Sequence, residues 1–114
     1  MNQLTITIRS KFQAVHCWPE CPYDEVGFLR NKHRHEFHVE VELEVSKSRQ
    51  KEFFICKNTL NDFLKCYEGK DLGETSCEQL AVEIYGHMNS AFGDCIRVSV
   101  FEDGENGSTF YSVE

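Results

Sequence analysis

The sequence predicts an α+β fold: a four-stranded antiparallel sheet with two helices inserted between the second and third strands and packed on one face. Three observations point there. Residues 4–16 and 33–45 alternate with period two, residues 60–92 carry two apolar stripes at helical spacing, and residues 97–113 alternate again around a glycine-rich turn. A chain of 114 residues, 27% charged and 40% hydrophobic, has the size of one domain, expected to span residues 1–114.

In the first segment Leu4, Ile6 and Ile8 share one face and Thr5, Thr7 and Arg9 the other, the pattern of a half-buried strand. Phe12, Ala14 and His16 keep the even parity, so a strand running on past Lys11, with a bulge at Arg9-Ser10, delivers His16 to the core side at its far end. Pro19 and Pro22 then forbid regular sheet and open a loop lasting to about Asn31. The next strand has His33, His35, Phe37, Val39, Val41, Leu43 and Val45 on one face. Its other face carries Arg34, Glu36, His38, Glu40, Glu42 and Glu44. The glutamates of that row are expected to face solvent.

Residues 46–50 read as a polar turn and residues 52–56 as a short strand or an extended lead into a helix capped by Asn58 or Thr59. Leu60, Phe63, Leu64 and Tyr67 are that helix's apolar positions, and residues 69–75 break it. Ser76 with Gln79 makes a capping box for a second helix with Leu80, Ile84 and Met88 as its stripe, ended by Gly93. Residues 97–103 form the third strand, with Val98, Val100 and Glu102 on one face. Residues 104–107 are expected to turn about Asn106-Gly107, and residues 109–113 return as the fourth strand.

Composition narrows the function. No apolar run approaches the roughly 18 residues of a membrane-spanning helix, and Met1 leads straight into Gln3-Leu4-Thr5-Ile6-Thr7-Ile8 instead of an export signal, so a cytoplasmic protein without a membrane partner is expected. A formal net charge of -7 argues against binding nucleic acid through its phosphates. Six cysteines at irregular spacing, with no export signal, read as free thiols or metal ligands.

The histidines carry the chemistry. Three imidazoles can hold zinc and leave a fourth position open to water or substrate, the arrangement of catalytic sites. His33 and His35, as His-x-His on a strand, point the same way, and His16 has matching parity at the end of the adjacent strand. The competing ligand set is a structural zinc module in which Cys17 and Cys21 join His33 and His35. His38 faces the glutamates and His87 sits on a helix, so both read as ordinary polar residues.

Phe12-Gln13-Ala14-Val15-His16 followed by His33-Arg34-His35-Glu36-Phe37-His38-Val39 resembles the Phe-x-Ala-x-His and His-Gly-His-x-Tyr/Phe-x-Val pattern of the 6-pyruvoyl tetrahydropterin synthase and 6-carboxytetrahydropterin synthase family. Thr75-Ser76-Cys77-Glu78-Gln79-Leu80-Ala81 resembles that family's helix start, and Val98-Ser99-Val100-Phe101-Glu102 its pterin-anchoring strand. The resemblance implies the tunnelling fold and a homo-oligomer, a hexamer built as a dimer of trimers with active sites between subunits, in whose barrel the glutamate row would face another layer or a water-filled tunnel. It also implies zinc on His16, His33 and His35, and Glu102 holding the guanidine-like edge of a pterin. The activity implied is that of a lyase on dihydroneopterin triphosphate, giving 6-carboxytetrahydropterin or a related pterin in deazapurine (queuosine) or pterin biosynthesis.

Arg30, Lys32 and Arg34 form a basic patch near the histidines that can receive the triphosphate, or that simply solvates a loop and strand start. The family's catalytic cysteine, which lies a few residues before His-x-His, has no counterpart here, where the nearby positions are Gly27, Phe28, Leu29 and Arg30. Cys21 is the nearest upstream thiol and the catalytic candidate, with Cys17, Asp24 and Glu25 as alternatives on the same loop. The family's Asp-His-His segment is also missing, since no histidine lies between His38 and His87. The alternative reading is a catalytically altered relative that binds a pterin, purine or nucleotide without converting it.

Overall fold

Long alternation builds the sheet. In the computed structural model, which describes residues 2–113 and leaves Met1 and Glu114 of the expected domain outside the described residues, β1 (Leu4–His16) and β2 (His33–Val45) pair antiparallel along their whole length. The ladder runs from Leu4 opposite Val45 to His16 opposite His33. The bulge expected at Arg9-Ser10 is absent: Arg9 pairs with Glu40 and Ser10 with Val39. Ser10, the polar residue in the apolar row, stays in register because its hydroxyl donates to the side-chain oxygen of Asn61 on the first helix.

β3 (Cys95–Glu102) pairs antiparallel with β2, and β4 (Asn106–Tyr111) with β3, giving the order β1-β2-β3-β4. The loop after β1 contains a 3-10 segment at Asp24–Arg30. α1 (Phe53–Leu64) and α2 (Cys77–Phe92) lie between β2 and β3 and pack on one face of the sheet. Phe37, Val39, Val41 and Leu43 of β2 and Val98 and Val100 of β3 meet Leu60, Leu80, Ile84 and Met88 of the helices in one core. Among the described residues no helix is long and apolar enough to cross a membrane.

Three local expectations shift. Residues 53–56 are helix, not strand, and the cap is Glu52, whose carboxylate accepts the Phe54 and Ile55 amides at 3.0 and 3.1 Å. The β propensity of Phe53, Phe54 and Ile55 is overridden because Cys56, Leu60 and Leu64 recur every four residues and all reach the core. Asn58 and Thr59 therefore lie inside α1, and Tyr67 lies beyond its end. The last hairpin turns at Asp103 and Gly104, which have φ of 55° and 73°, and the Glu105 amide donates to the Glu102 carbonyl at 2.9 Å. Asn106 and Gly107 already belong to β4, opposite Glu102 and Phe101. This register sets Phe110 opposite Val98 and against Tyr85, with ring centres 4.8 Å apart. A turn centred on Asn106-Gly107 would put Phe110 opposite Asp103 and off the core.

The capping box at Ser76 and Gln79 is present, and Gly93, with φ of 65°, ends α2. The segment expected only to break the helices does more. Gly69 donates to the Gln13 carbonyl at 2.7 Å, Val15 to Lys70 at 2.9 Å, Leu72 to Val15 at 2.7 Å and Cys17 to Gly73 at 2.8 Å. These bonds strap residues 69–73 along the outer edge of β1 beside His16.

The glutamate row lies on the helix-free face of the sheet and is paired across strands. Arg97 Nε donates to Glu42 at 2.8 Å and Arg9 Nε to Glu40 at 3.1 Å, while the Thr5 hydroxyl donates to Glu42 at 2.7 Å. Arg97, above all, holds the Glu42 carboxyl below its ordinary pKa.

Gly107 is sterically obligatory, since a Cβ there would lie 2.0 Å from the Val100 carbonyl oxygen. Gly107→Ala is expected to cost about 1–3 kcal/mol, read as a lowered midpoint in chemical denaturation. Gly86→Ala, inside α2 with nothing within 4 Å, is expected to stabilise by about 0.4–1 kcal/mol.

Candidate metal centre

The β1–β2 ladder ends on histidines. His16 pairs with His33, and His35 stands opposite Ala14, whose small side chain leaves room for the rings on the core face. The ring centres lie 4.6 Å apart for His16 and His33, 5.3 Å for His16 and His35, and 5.0 Å for His33 and His35. One nitrogen from each ring lies within 4.8 Å of the others, so one ion can be reached by all three. Phe37, fully buried, packs edge-on to His16 and His35 and shuts water out from below.

Each ring is turned by an acceptor at its other nitrogen. His16 Nδ1 lies 2.8 Å from the Thr75 carbonyl, His33 Nδ1 2.8 Å from the Asn31 carbonyl and His35 Nδ1 2.7 Å from Asp103 Oδ2. A carbonyl or ionised carboxylate cannot donate, so Nδ1 must carry the proton and Nε2 presents its lone pair. The Nε2 atoms of His16 and His35 are buried without a hydrogen-bond partner. Converging imidazole lone pairs with no donor to satisfy them fit a soft-to-borderline cation, and the donor set is one that zinc takes.

Glu102, at the end of β3, reaches the same nitrogens: its carboxylate oxygens lie 3.2 Å from His16 Nε2 and 3.6 Å from His35 Nε2. Two lone-pair-bearing groups at this distance call for positive charge between them, a proton or a metal ion. Accordingly, the Glu102 carboxylate holds the His16 imidazole above its ordinary pKa against the opposing effect of burial, and the Thr75 carbonyl adds to the rise. His16 in turn holds the Glu102 carboxyl down.

Beside this cluster opens a cleft of about 410 Å³, walled by His16, Cys17, Trp18 and His33, by residues 74–78 at the start of α2, and by Glu102 with residues 106–108. His35 is not on its wall. Burial and Glu102 push the Cys77 thiol up to about 12.

The other residues singled out from sequence lie elsewhere. Cys21 is buried, with its thiol 3.8 Å from the Tyr23 carbonyl, and does not line the cleft. Arg30 bonds Asp24 and the Cys21 carbonyl, both at 2.9 Å, Lys32 pairs with Asp71, and Arg34 lies 3.4 Å from Gln13 Oε1. None of these three cations lines the cleft. Cys17 lines it, yet neither Cys17 nor Cys21 joins the ligand group among the described residues. His38 bonds Glu36 at 2.9 Å, and His87 stacks on Phe63 at 4.2 Å, both away from the cluster. Sequence reasoning missed Thr75, Asn31 and Asp103, which aim the rings; the Asp-Gly pair after Glu102 was the one local signal for the last of them.

The family model described as 6-pyruvoyl tetrahydropterin synthase matches residues 5–113. No curated protein matches the chain. Among solved structures, that of Caenorhabditis elegans 6-pyruvoyl tetrahydropterin synthase superposes with a TM-score of 0.79 at 17% identity, covering 99% of this chain and 98% of that one.

The His16–Glu102 pair has a pH signature in metal-free protein. The raised His16 value stabilises the fold fully below its ordinary value of 6.5, and this is lost as pH rises through the folded value. The depressed Glu102 value stabilises above 4.5 and is lost as pH falls through its folded value. Glu102→Gln is expected to lower the His16 pKa, followed by NMR titration, and to remove the stability loss on the alkaline side.

Proposed function

The chain belongs to the 6-pyruvoyl tetrahydropterin synthase family, and on that premise we propose that it is a zinc-dependent, pterin synthase-like lyase. Its substrate in this reading is dihydroneopterin triphosphate, and its product 6-carboxytetrahydropterin or a related pterin of deazapurine or pterin biosynthesis. The observation that carries the reading is the convergence of His16, His33 and His35, each with Nδ1 occupied and one nitrogen free within 4.8 Å of the others. His16, His33 and His35 would hold the zinc, and the chemistry it would supply there is that of a Lewis acid toward oxygens of the substrate side chain.

The chain's own residues set the rest. Glu102 offers two carboxylate oxygens on the cleft wall, suited to two parallel N–H donors of a pterin edge. Glu74 and Glu78 add acidity to that wall, which favours the donor-rich pterin head over a triphosphate. Arg30, Lys32 and Arg34 would meet the triphosphate across a subunit boundary. The homo-oligomer, a hexamer as a dimer of trimers, is part of the proposal; the outer edges of β1, over residues 4–11, and of β4 have no neighbouring strand within the described sheet to pair with. A cytoplasmic location accords with six free thiols.

The proposed chemistry also needs a group to move the proton. For Cys21 to act, the loop it sits on has to carry its thiol out of the interior. Cys77 already lines the cleft, but a thiol held up to about 12 supplies little thiolate near neutrality. That observation favours a second reading, a catalytically altered relative that binds the pterin without converting it.

Purified protein is expected to hold about one zinc per chain, and His16→Ala to lose it; zinc retained by His16→Ala would point to the cysteine-containing set. Incubating zinc-loaded protein with dihydroneopterin triphosphate and following pterin products by chromatography separates the two functional readings. Turnover supports the lyase, tight binding without turnover supports the altered relative, and the absence of both binding and turnover would defeat both readings.

A further inference from the structure

The three acceptors that aim the imidazoles differ in one respect. Thr75 and Asn31 use neutral backbone carbonyls, whereas His35 is held by a carboxylate. Asp103 divides its two oxygens: Oδ2 takes His35 Nδ1 at 2.7 Å, and Oδ1 accepts the Glu36 amide at 2.9 Å. The Asp103 amide donates back to the Glu36 carbonyl at 2.7 Å, so the β3–β4 turn is clamped to β2 at the residue next to the ligand. Glu102 and Asp103 thus address opposite nitrogens of one ring, the first at Nε2 and the second at Nδ1.

We infer that Asp103 is a positioning residue for metal binding: its carboxylate holds the proton of His35 on Nδ1 and strengthens Nε2 as a donor to the ion. This rests on the reading that His16, His33 and His35 hold zinc. A charged acceptor behind a metal-binding imidazole orients the ring and makes it a better ligand than a neutral one does. The left-handed backbone at Asp103, with φ of 55°, is a conformation that aspartate and asparagine both adopt more readily than other residues with a side chain.

That tolerance makes Asp103→Asn a clean test. Asparagine has one oxygen where two donors, the Glu36 amide and His35 Nδ1–H, both need an acceptor. If the oxygen serves Glu36, the amide NH2 faces Nδ1 and drives the ring proton to Nε2, the ligand atom. Zinc affinity, measured by competition with a chromophoric chelator, is expected to fall about 10–100-fold. The visible spectrum of the cobalt-substituted protein is expected to change, while the melting temperature of metal-free protein stays near that of the unmodified chain. Asp103→Gly, which keeps the turn and removes the carboxylate, is expected to weaken zinc as well, and decides the matter if the asparagine variant folds poorly. Unmodified protein that binds zinc while both variants bind it equally tightly would overturn the inference. Unmodified protein that binds no zinc, or binds it undiminished after His16→Ala, would instead overturn the zinc reading itself.

Discussion

The register of the β1–β2 ladder is the constraint on which the rest depends. Side chains alternate faces along a strand, so a one-residue slip of β1 against β2 would send His16, with every apolar residue of β1, to the face opposite His33 and His35. The core therefore enforces the site: Ile8, Phe12, Phe37, Val39 and Val41 are nearly or fully buried only in the parity that also brings the imidazoles together. Phe12 and Phe37, stacked 5.1 Å apart, join the two functions, since Phe37 also forms the floor beneath His16 and His35.

Around that ladder the charges are sorted. On the helix-free face, glutamates meet Arg9, Arg97 and the Thr5 hydroxyl of neighbouring strands, and the two arginines compensate a row of like charges that would otherwise repel. On the core face, the carboxylates of Glu102 and Asp103 converge on imidazoles instead, and the demand for positive charge falls on a single point. Converging carboxylates and imidazole nitrogens of this kind suit a cation, and by themselves suit a polyanion poorly.

Much of this could be read from residue order. The sheet, both helices, the capping box at Ser76 and the shared face of His16, His33 and His35 all follow from period and spacing, which are local properties. The start of α1 did not, because Phe53-Phe54-Ile55 has the composition of a strand and only the recurrence of Cys56, Leu60 and Leu64 against the sheet decides for helix. The hairpin turn did not, because Asp103-Gly104 and Asn106-Gly107 are both good turn pairs, and the packing of Phe110 on Tyr85 selects between them. Arg30, Lys32 and Arg34 lie close in the sequence yet bond to three different places, since a loop and an alternating strand send neighbours apart.

What the sequence determined by itself is which side chains share a face: alternation and helical spacing are written into consecutive residues, and with them the fold class and the three histidines. Which oxygen stands behind each imidazole was decided only by tertiary structure. Thr75 arrives because residues 69–73 strap onto the edge of β1, and Asp103 because the β3–β4 turn folds back onto Glu36. Those acceptors lie 59 and 68 residues away in sequence from the rings they hold. No local pattern encodes a bond of that separation; it exists only once the sheet and its edge strap have formed.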